Sequence, residues 1–376
     1  MTLLDLVALS LLGGLSRRGL GDRLRRPAPR GGPDLSPHAS PPFVHLELRE
    51  VIRATARRPV PLARVDAARS AADRALSRAE ACGATPIALG SAAYPRVLEA
   101  IVDPPVVLWS RGCLHPPGTA SVDVGPAVAV VGARAATAYA REVAGRLGTD
   151  LATRGVTVVS GLARGVDIAA HRGALESAAS CCTVAVFGCG VDVIYPREHA
   201  AVADAIAGRG ALVSELPPGT TPRPEHFPRR NRLVSGLSRA VVVVEAAERS
   251  GALITADCAL EQGRDVLAVP GNILGGRNRG AHGLLRDGAK IVEHVDDILE
   301  ELGLPSSRPR RPDDAAGGAR DDVLRAMEPG EGYALDELAR ESGLDAATLL
   351  PRLLALELAG QVRREGARFV RTRRAG

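Results

Sequence analysis

The sequence predicts an α/β protein: a Rossmann-like doubly wound sheet, with a small helical region before it and a winged helix after it. Three observations predict this. Five apolar runs, VAVVG (128–132), VTVVSG (156–161), TVAVFG (183–188), AVVVVE (240–245) and DVLAVPG (265–271), are short, β-branched and without in/out alternation. A parallel strand buried on both faces reads this way. Helix-like segments separate most of the runs, the alternation of a doubly wound sheet. Beyond them, residues 321–371 read as three short helices, DDVLRAM, LDELARESG and DAATLLPRLLALELAG, then two strands around Gly366, which makes a winged helix-turn-helix.

At 376 residues the chain is too long for one ordinary core. Residues 1–90 are expected to form a helical region, with helices over 1–22 and 63–82 and Gly83 as a C-terminal cap. The opening MTLLDLVALSLLGGL carries Asp5, no basic segment precedes it, and its apolar run is too short to span a bilayer, so it reads as the first helix. Arg23 to Pro42 is rich in Arg, Pro, Gly and Ser and reads as a loop or disordered insertion. Tyr94 to Gly112 leads into the sheet domain, and its PPVVLW run reads as an edge strand because prolines are confined there. The sheet domain is assigned to 91–304, a linker to 305–320 and the winged helix to 321–376. The linker's composition implies few contacts between tail and sheet domain. Pro351 inside the last helix should kink it.

Formal net charge is +5, a mild bias toward an anionic partner. Only Lys290 of the 48 basic residues is a lysine, which is a composition bias, so the placement of Arg says more than its number. Aromatics at 2% exclude an extensive base-stacking platform. The six cysteines, Cys82, Cys113, Cys181, Cys182, Cys189 and Cys258, form no C-x-x-C pair, and no His stands at zinc-ligand spacing. A reduced, cytoplasmic protein without metal or cofactor is expected.

Sheets of this class bind ligands outside the carboxyl ends of their strands. Those ends carry Gly132-Ala133-Arg134, Ser160-Gly161, Gly188-Cys189-Gly190 and Pro270-Gly271-Asn272. Such an edge suits a ligand with more than one phosphate. In the first turn a helix begins near Thr137, offering free N–H groups, with Arg134 as a phosphate donor. The turn reads G-A-R-A-A-T, which is neither a dinucleotide fingerprint nor a Walker loop, and an ordinary turn with a solvated Arg fits it equally well. In SGLARGVDIAAH (160–171), Ser160 to Gly165 reads as a phosphate nest with Arg164 at its rim. Asp167 reads as a helix cap, and His171 as a buried histidine held by it. PRPEHFPRRNRLVSGLS (222–238) reads as a basic loop in which Arg223, Arg229, Arg230 and Arg232 surround Phe227, with Asn231 able to bond a base edge. Clustered charge with one ring suits single-stranded nucleic acid. Ser250-Gly251 opens a further helix, and GGRNRGAHGLLRDGA (275–289) reads as a glycine- and arginine-rich loop ending in a short one; both could close the same pocket.

Read in order, VAVVGAR, VVSGLARGVDIAAH, VAVFGCGVDVIYP, SELPPG, HFPRRNRLVSGLS, VVEA…SGALITA, AVPG and LLRDGA resemble the DNA-processing protein A (DprA/Smf) family, over roughly residues 90–300. The resemblance implies a dimeric, non-enzymatic single-stranded DNA-binding protein that loads RecA recombinase in natural transformation and recombination. Residue by residue it implies a pocket using Arg134, Gly161, Arg164, Phe227, Arg229, Asn231 and Arg232, joined by Ser160, Gly165, Ser250 and Gly251. Three departures stand out: Ala133 where the family has a Ser, Gly280-Ala281-His282 where it has Gly-x-Asn, and a Pro/Arg-rich insertion that interrupts the SAM-like helical domain the resemblance implies over residues 1–90. The competing reading is a Rossmann nucleotide hydrolase of the phosphoribohydrolase type, but its P-G-G-x-G-T loop is absent. A transcription factor built on the tail alone would leave the sheet domain without a role.

Overall fold

The computed structural model describes residues 1–13, 15–24, 47–114, 125–179, 183–305, 322–328 and 330–371. Most of the insertion expected at 23–42, nearly all of the linker at 305–320, and Cys181 and Cys182 lie outside the described residues.

Four helices open the chain: α1 (Leu3–Leu11), α2 (Arg17–Leu24), α3 (Leu48–Thr55) and α4 (Leu62–Ala81). Thr2 and Asp5 cap α1 reciprocally, and the same Asp5 accepts from Arg69 of α4 at 2.6 Å. Gly83, at φ 68°, ends α4 as expected.

The sheet domain then runs β1 (Ala84–Ala88), α5 (Arg96–Glu99), β2 (Val107–Gly112), β3 (Ala127–Val131), α6 (Ala138–Thr153), β4 (Thr157–Ser160), α7 (Val166–Glu176) and β5 (Thr183–Phe187). It continues through α8 (Ala200–Arg209), β6 (Gly210–Ser214), α9 (His226–Gly236), β7 (Ala240–Val243), α10 (Gly251–Glu261), β8 (Asp265–Ala268), α11 (Arg279–Arg286), β9 (Lys290–Ile291) and α12 (Val295–Glu301). The tail comprises α13 (Asp322–Arg325), β10 (Gly332–Ala334), α14 (Leu335–Ser342), α15 (Ala346–Leu358), β11 (Val362–Glu365) and β12 (Arg368–Arg371).

The nine strands lie in the order β1-β2-β6-β5-β4-β3-β7-β8-β9. From β6 to β9 all neighbours are parallel, while β1 and β2 are antiparallel additions. Every residue of β3, β4, β5, β6 and β7 is buried, as their unbroken apolar runs require. Successive β3 residues serve opposite faces: Val128 and Val130 pack with α6 and α12, Ala129 and Val131 with the core shared by the N-terminal helices. The chain winds from β3 outward through β4, β5 and β6, then returns to lay β7, β8 and β9 on the other side. The order therefore reverses between β3 and β7, where a doubly wound sheet opens its crevice.

Several expectations need correction. The PPVVLW strand is second from the edge, between β1 and β6. Its two prolines precede the first paired residue, Val107, so they remove no ladder bond. The true edge is β1, which contains Pro86 and lies within the stretch expected to be helical. β6 was not among the five expected runs; Gly210 opens it because a Cβ there would sit 1.9 Å from the Thr183 carbonyl oxygen. The tail hairpin gains a third strand, in the order β10-β12-β11, and α15 continues through Pro351. The tail also touches the sheet domain: Arg141 of α6 ion-pairs with Glu365 of β11, and Gly330 packs against Tyr139.

Helices α6 and α7 approach so closely that their contact tolerates only glycine. A Cβ on Gly173 would lie 1.9 Å from the Gly145 carbonyl oxygen, a backbone atom that cannot yield without moving the helix. Gly173→Ala should therefore lower unfolding stability by about 1–3 kcal/mol, the usual cost of overpacking. Urea denaturation followed by circular dichroism measures it, and an unchanged midpoint would refute the tight contact.

Candidate functional site

The loops after β3 and β7 meet at the reversal point. Gly132 turns the chain there; a Cβ would come within 2.6 Å of Val166 Cγ2, so its absence lets α7 pack under the turn. Ala133 N donates to the Glu245 carbonyl at 2.7 Å, joining the two loops. Thr137 caps α6, accepting from Ala140 N at 3.1 Å. Its own N–H and hydroxyl donate to the two Glu245 carboxylate oxygens, at 3.2 and 2.6 Å. The α6 terminus expected to receive phosphate thus already holds an internal carboxylate, where the helix dipole favours one.

The SGLARG turn shows the same arrangement. Gly161 N and Ala163 N donate to Asp167 Oδ2 at 3.1 and 3.3 Å. Asp167 is a first-turn residue of α7 bonded back to the preceding loop, not the helix cap, which is Gly165. His171 is buried as expected, but its Nδ1 bonds the Thr183 hydroxyl at 2.7 Å rather than Asp167. Ser160 is fully buried and donates to the Val130 carbonyl at 2.6 Å, pinning the end of β4 to β3.

The segment 222–238 is not a loop. Most of it is helix α9, with Pro228 in the first turn, where a missing N–H costs no hydrogen bond. At 100° per residue the arginines that cluster in sequence diverge in space. Arg230 is buried and donates to the Val186 carbonyl at the end of β5. Gly161 makes room for it, since a Cβ there would lie 2.0 Å from Arg230 Nη2. Arg232 points the other way, paired with Glu215 at 2.7 Å and Asp103 at 3.2 Å. Arg229 lies 3.7 Å from Glu215, and Arg164 is paired outward with Glu198 at 2.5 Å.

Between these loops lies a cavity of about 520 Å³. Of the expected residues, Arg134, Gly161, Phe227, Asn231, Ser250 and Gly251 line it. Ser160, Arg164, Gly165, Arg229 and Arg232 do not. Three arginines outside the expected set do: Arg230 in the floor, Arg249 just before α10, and Arg277 from the glycine-rich loop. The signals for Arg249 and Arg277 were present, in ERSG and GGRNRG, but both stretches read equally well as plain turns. Arg134, Arg249 and Arg277 are exposed, and none of them pairs with a carboxylate of the described residues. Arg134 stands over the Phe227 ring at 5.7 Å, and Tyr195 lies 5.4 Å beyond it. Asn231 bonds the Gly251 carbonyl at 3.2 Å, holding α9 to the start of α10. Ser250 caps α10, and Gly251 leaves open space beside it. The cavity thus has a ring on one wall, guanidiniums without carboxylate partners at its mouth, of which Arg277 donates to the Ala135 carbonyl at 3.0 Å, and a buried guanidinium in its floor, a geometry for a base attached to a phosphate chain.

Burial pushes the Asp167 carboxyl up, opposed by the Arg230 charge and by the amides of Ala163 and Gly161. Burial, with the Arg230 charge, drives His171 down to about 3. Burial raises the Cys189 thiol to about 12, leaving an inert group that donates to the Val193 carbonyl. Among the described residues no group of three or more His, Cys, Asp or Glu could hold a metal, and no helix is long and apolar enough to cross a membrane.

Two outcomes follow from this geometry. Arg232→Ala removes the shorter of the two arginine contacts of Glu215 together with the ion pair to Asp103, and should cost about 3 kcal/mol of stability, the scale for breaking a buried pair. A wild-type denaturation midpoint would contradict that assignment. His171 titrates in the folded protein far below its ordinary value of 6.5. The unfolded chain therefore binds the proton first, and stability should fall as pH drops from about 6.5 toward 3, by up to about 1.4 kcal/mol per unit. Denaturation curves across that range should flatten in His171→Gln; an unaltered slope would show that other groups carry the acid sensitivity.

The family model for DNA recombination-mediator protein A matches residues 85–303, and that for the DprA winged helix domain matches 307–368. Protein Smf of Escherichia coli is 42% identical over 292 residues, covering 75% of this chain and 76% of that protein. A DprA of Mycobacterium tuberculosis is 46% identical over 263 residues, 68% of this chain; the match spans just under two thirds (66%) of that relative's length. Among solved structures, DprA from Streptococcus pneumoniae aligns with a TM-score of 0.58 at 37% identity, covering 68% of this chain and 87% of that one. DNA processing protein A from Helicobacter pylori, described for its single-stranded DNA binding mode, aligns at 0.50 and 29% identity, covering 58% and 95%.

Proposed function

Because the chain belongs to the DNA recombination-mediator protein A family, we propose that it binds single-stranded DNA in the crevice between β3 and β7 and delivers the strand to RecA recombinase in natural transformation. The observation that carries the reading is the set of guanidiniums without carboxylate partners, Arg134, Arg249 and Arg277, gathered around Phe227 at one cavity. Arginine forks grip phosphate oxygens while a ring accepts any base face. Nothing in this wall resembles a base-reading helix in a major groove, so the strand is held with little regard to sequence. Homodimerisation, the RecA contact and a cytoplasmic setting belong to the same proposal. The geometry also supports binding without turnover. The two acids at the cavity are already engaged, Glu245 by Thr137 and Asp167 by loop amides, so neither is poised as a general base.

Fluorescence anisotropy on a single-stranded oligonucleotide and its duplex, over a salt series, tests the reading. The single strand should bind more tightly throughout, with log affinity falling by about 0.7 per phosphate contact per unit of log salt. Arg134→Ala should weaken it by about 1–3 kcal/mol without altering thermal melting. Tighter binding to duplex would reject the proposal. Hydrolysis of nucleoside monophosphates or DNA that disappears in Arg134→Ala would replace it with the nucleotide-hydrolase reading.

A further inference from the structure

The tail carries a surface that strand binding does not use. Helix α15 buries Leu349, Leu353 and Leu356 in the winged-helix core. Its opposite face leaves Leu350, Leu354 and Leu358 at 49%, 57% and 82% exposure. These three leucines, four residues apart, form one ridge along the helix. Beside it runs a second row at the same spacing, Ala347, Pro351, Ala355 and Ala359, all exposed. Small side chains make that row a groove. The face thus has a ridge of leucines flanked by a groove of the same pitch, and Arg352 at its margin is the only charge on the exposed side. In winged-helix DNA binders the helix in this position presents polar groups to base edges. Here the exposed side offers only Thr348 and, at its margin, Arg352.

We infer that the exposed face of α15 packs against α15 of a second copy of this chain, leucine ridge into small-residue groove. A two-fold contact needs one patch to complement itself, and adjacent ridge and groove rows of equal pitch do so. With one charge, Arg352, at its margin, the face offers little for steering by an acidic or basic partner. Three leucines offer on the order of 300 Å² per copy, so the pair buries roughly 600 Å², about half of what a stable interface needs. The contact is therefore weak between free molecules and effective where copies are held close together, as on one DNA strand. Only that last clause rests on the single-strand reading.

The test uses full-length protein in two arms. In sedimentation velocity without DNA, the weight-average mass should rise at high protein concentration, and Leu354→Arg or Leu358→Arg should lower that rise with unchanged melting. On DNA, wild type should load a long single strand cooperatively; both variants should lose the cooperativity yet keep wild-type affinity for an oligonucleotide that accommodates one copy. Concentration dependence identical in wild type and both variants overturns the inference. Failure of the wild type to bind any single strand would sink the function proposed above and leave the sedimentation arm to decide this one.

Discussion

The crevice is built around a buried guanidinium. Arg230 leaves α9, passes over the ends of the central strands and donates to the carbonyl of Val186. A buried charge survives only with compensation. Asp167 supplies the opposite charge, and is itself fixed by the amides of Gly161 and Ala163. Gly161 must be glycine because the guanidinium occupies the space of its side chain. One side chain therefore sets the spacing of β4, β5, α7 and α9, and with it the floor on which any ligand rests.

That arrangement changes how the glycine-rich turns act. Backbone amides at strand ends and helix starts are ordinary phosphate receptors. Here two sets are closed by Glu245 and Asp167, so the turns are rigid struts more than cradles. Attraction for an anion then rests on side chains at the mouth. Glu245 ties the start of α6 to the loop after β7, and Asp167 ties α7 to the loop before it, so the site is preorganised before any ligand arrives.

The sheet was legible because burial on both faces leaves a signature in composition alone: five of its seven parallel strands stood out as unbroken apolar runs. Helix α9 was not legible. A proline and three arginines look like a loop, and only the tertiary setting shows Pro228 in a first turn and Arg230 under the sheet edge. Half of the expected site shared that fate. Arg134, Phe227 and Asn231 meet at the cavity, whereas Arg232 is spent on Glu215 and Asp103, and Ser160 on a neighbouring strand. Proximity in sequence is not proximity in space on a helix, where adjacent residues point 100° apart. β6 escaped notice because GALVS opens on Gly and Ala and holds a single β-branched residue, and β10 because GYA is too short to show a pattern.

The cations lining the cavity are all arginines, and neither histidine nor cysteine joins them. A guanidinium stays protonated at any pH a cell reaches, and it offers no amine for acylation. The charge at this mouth is thus a constant: neither a pH gradient nor lysine acetylation can turn it down. A polyanion held there must leave by competition, displaced by salt, by another polyanion or by a protein that grips the same strand more firmly.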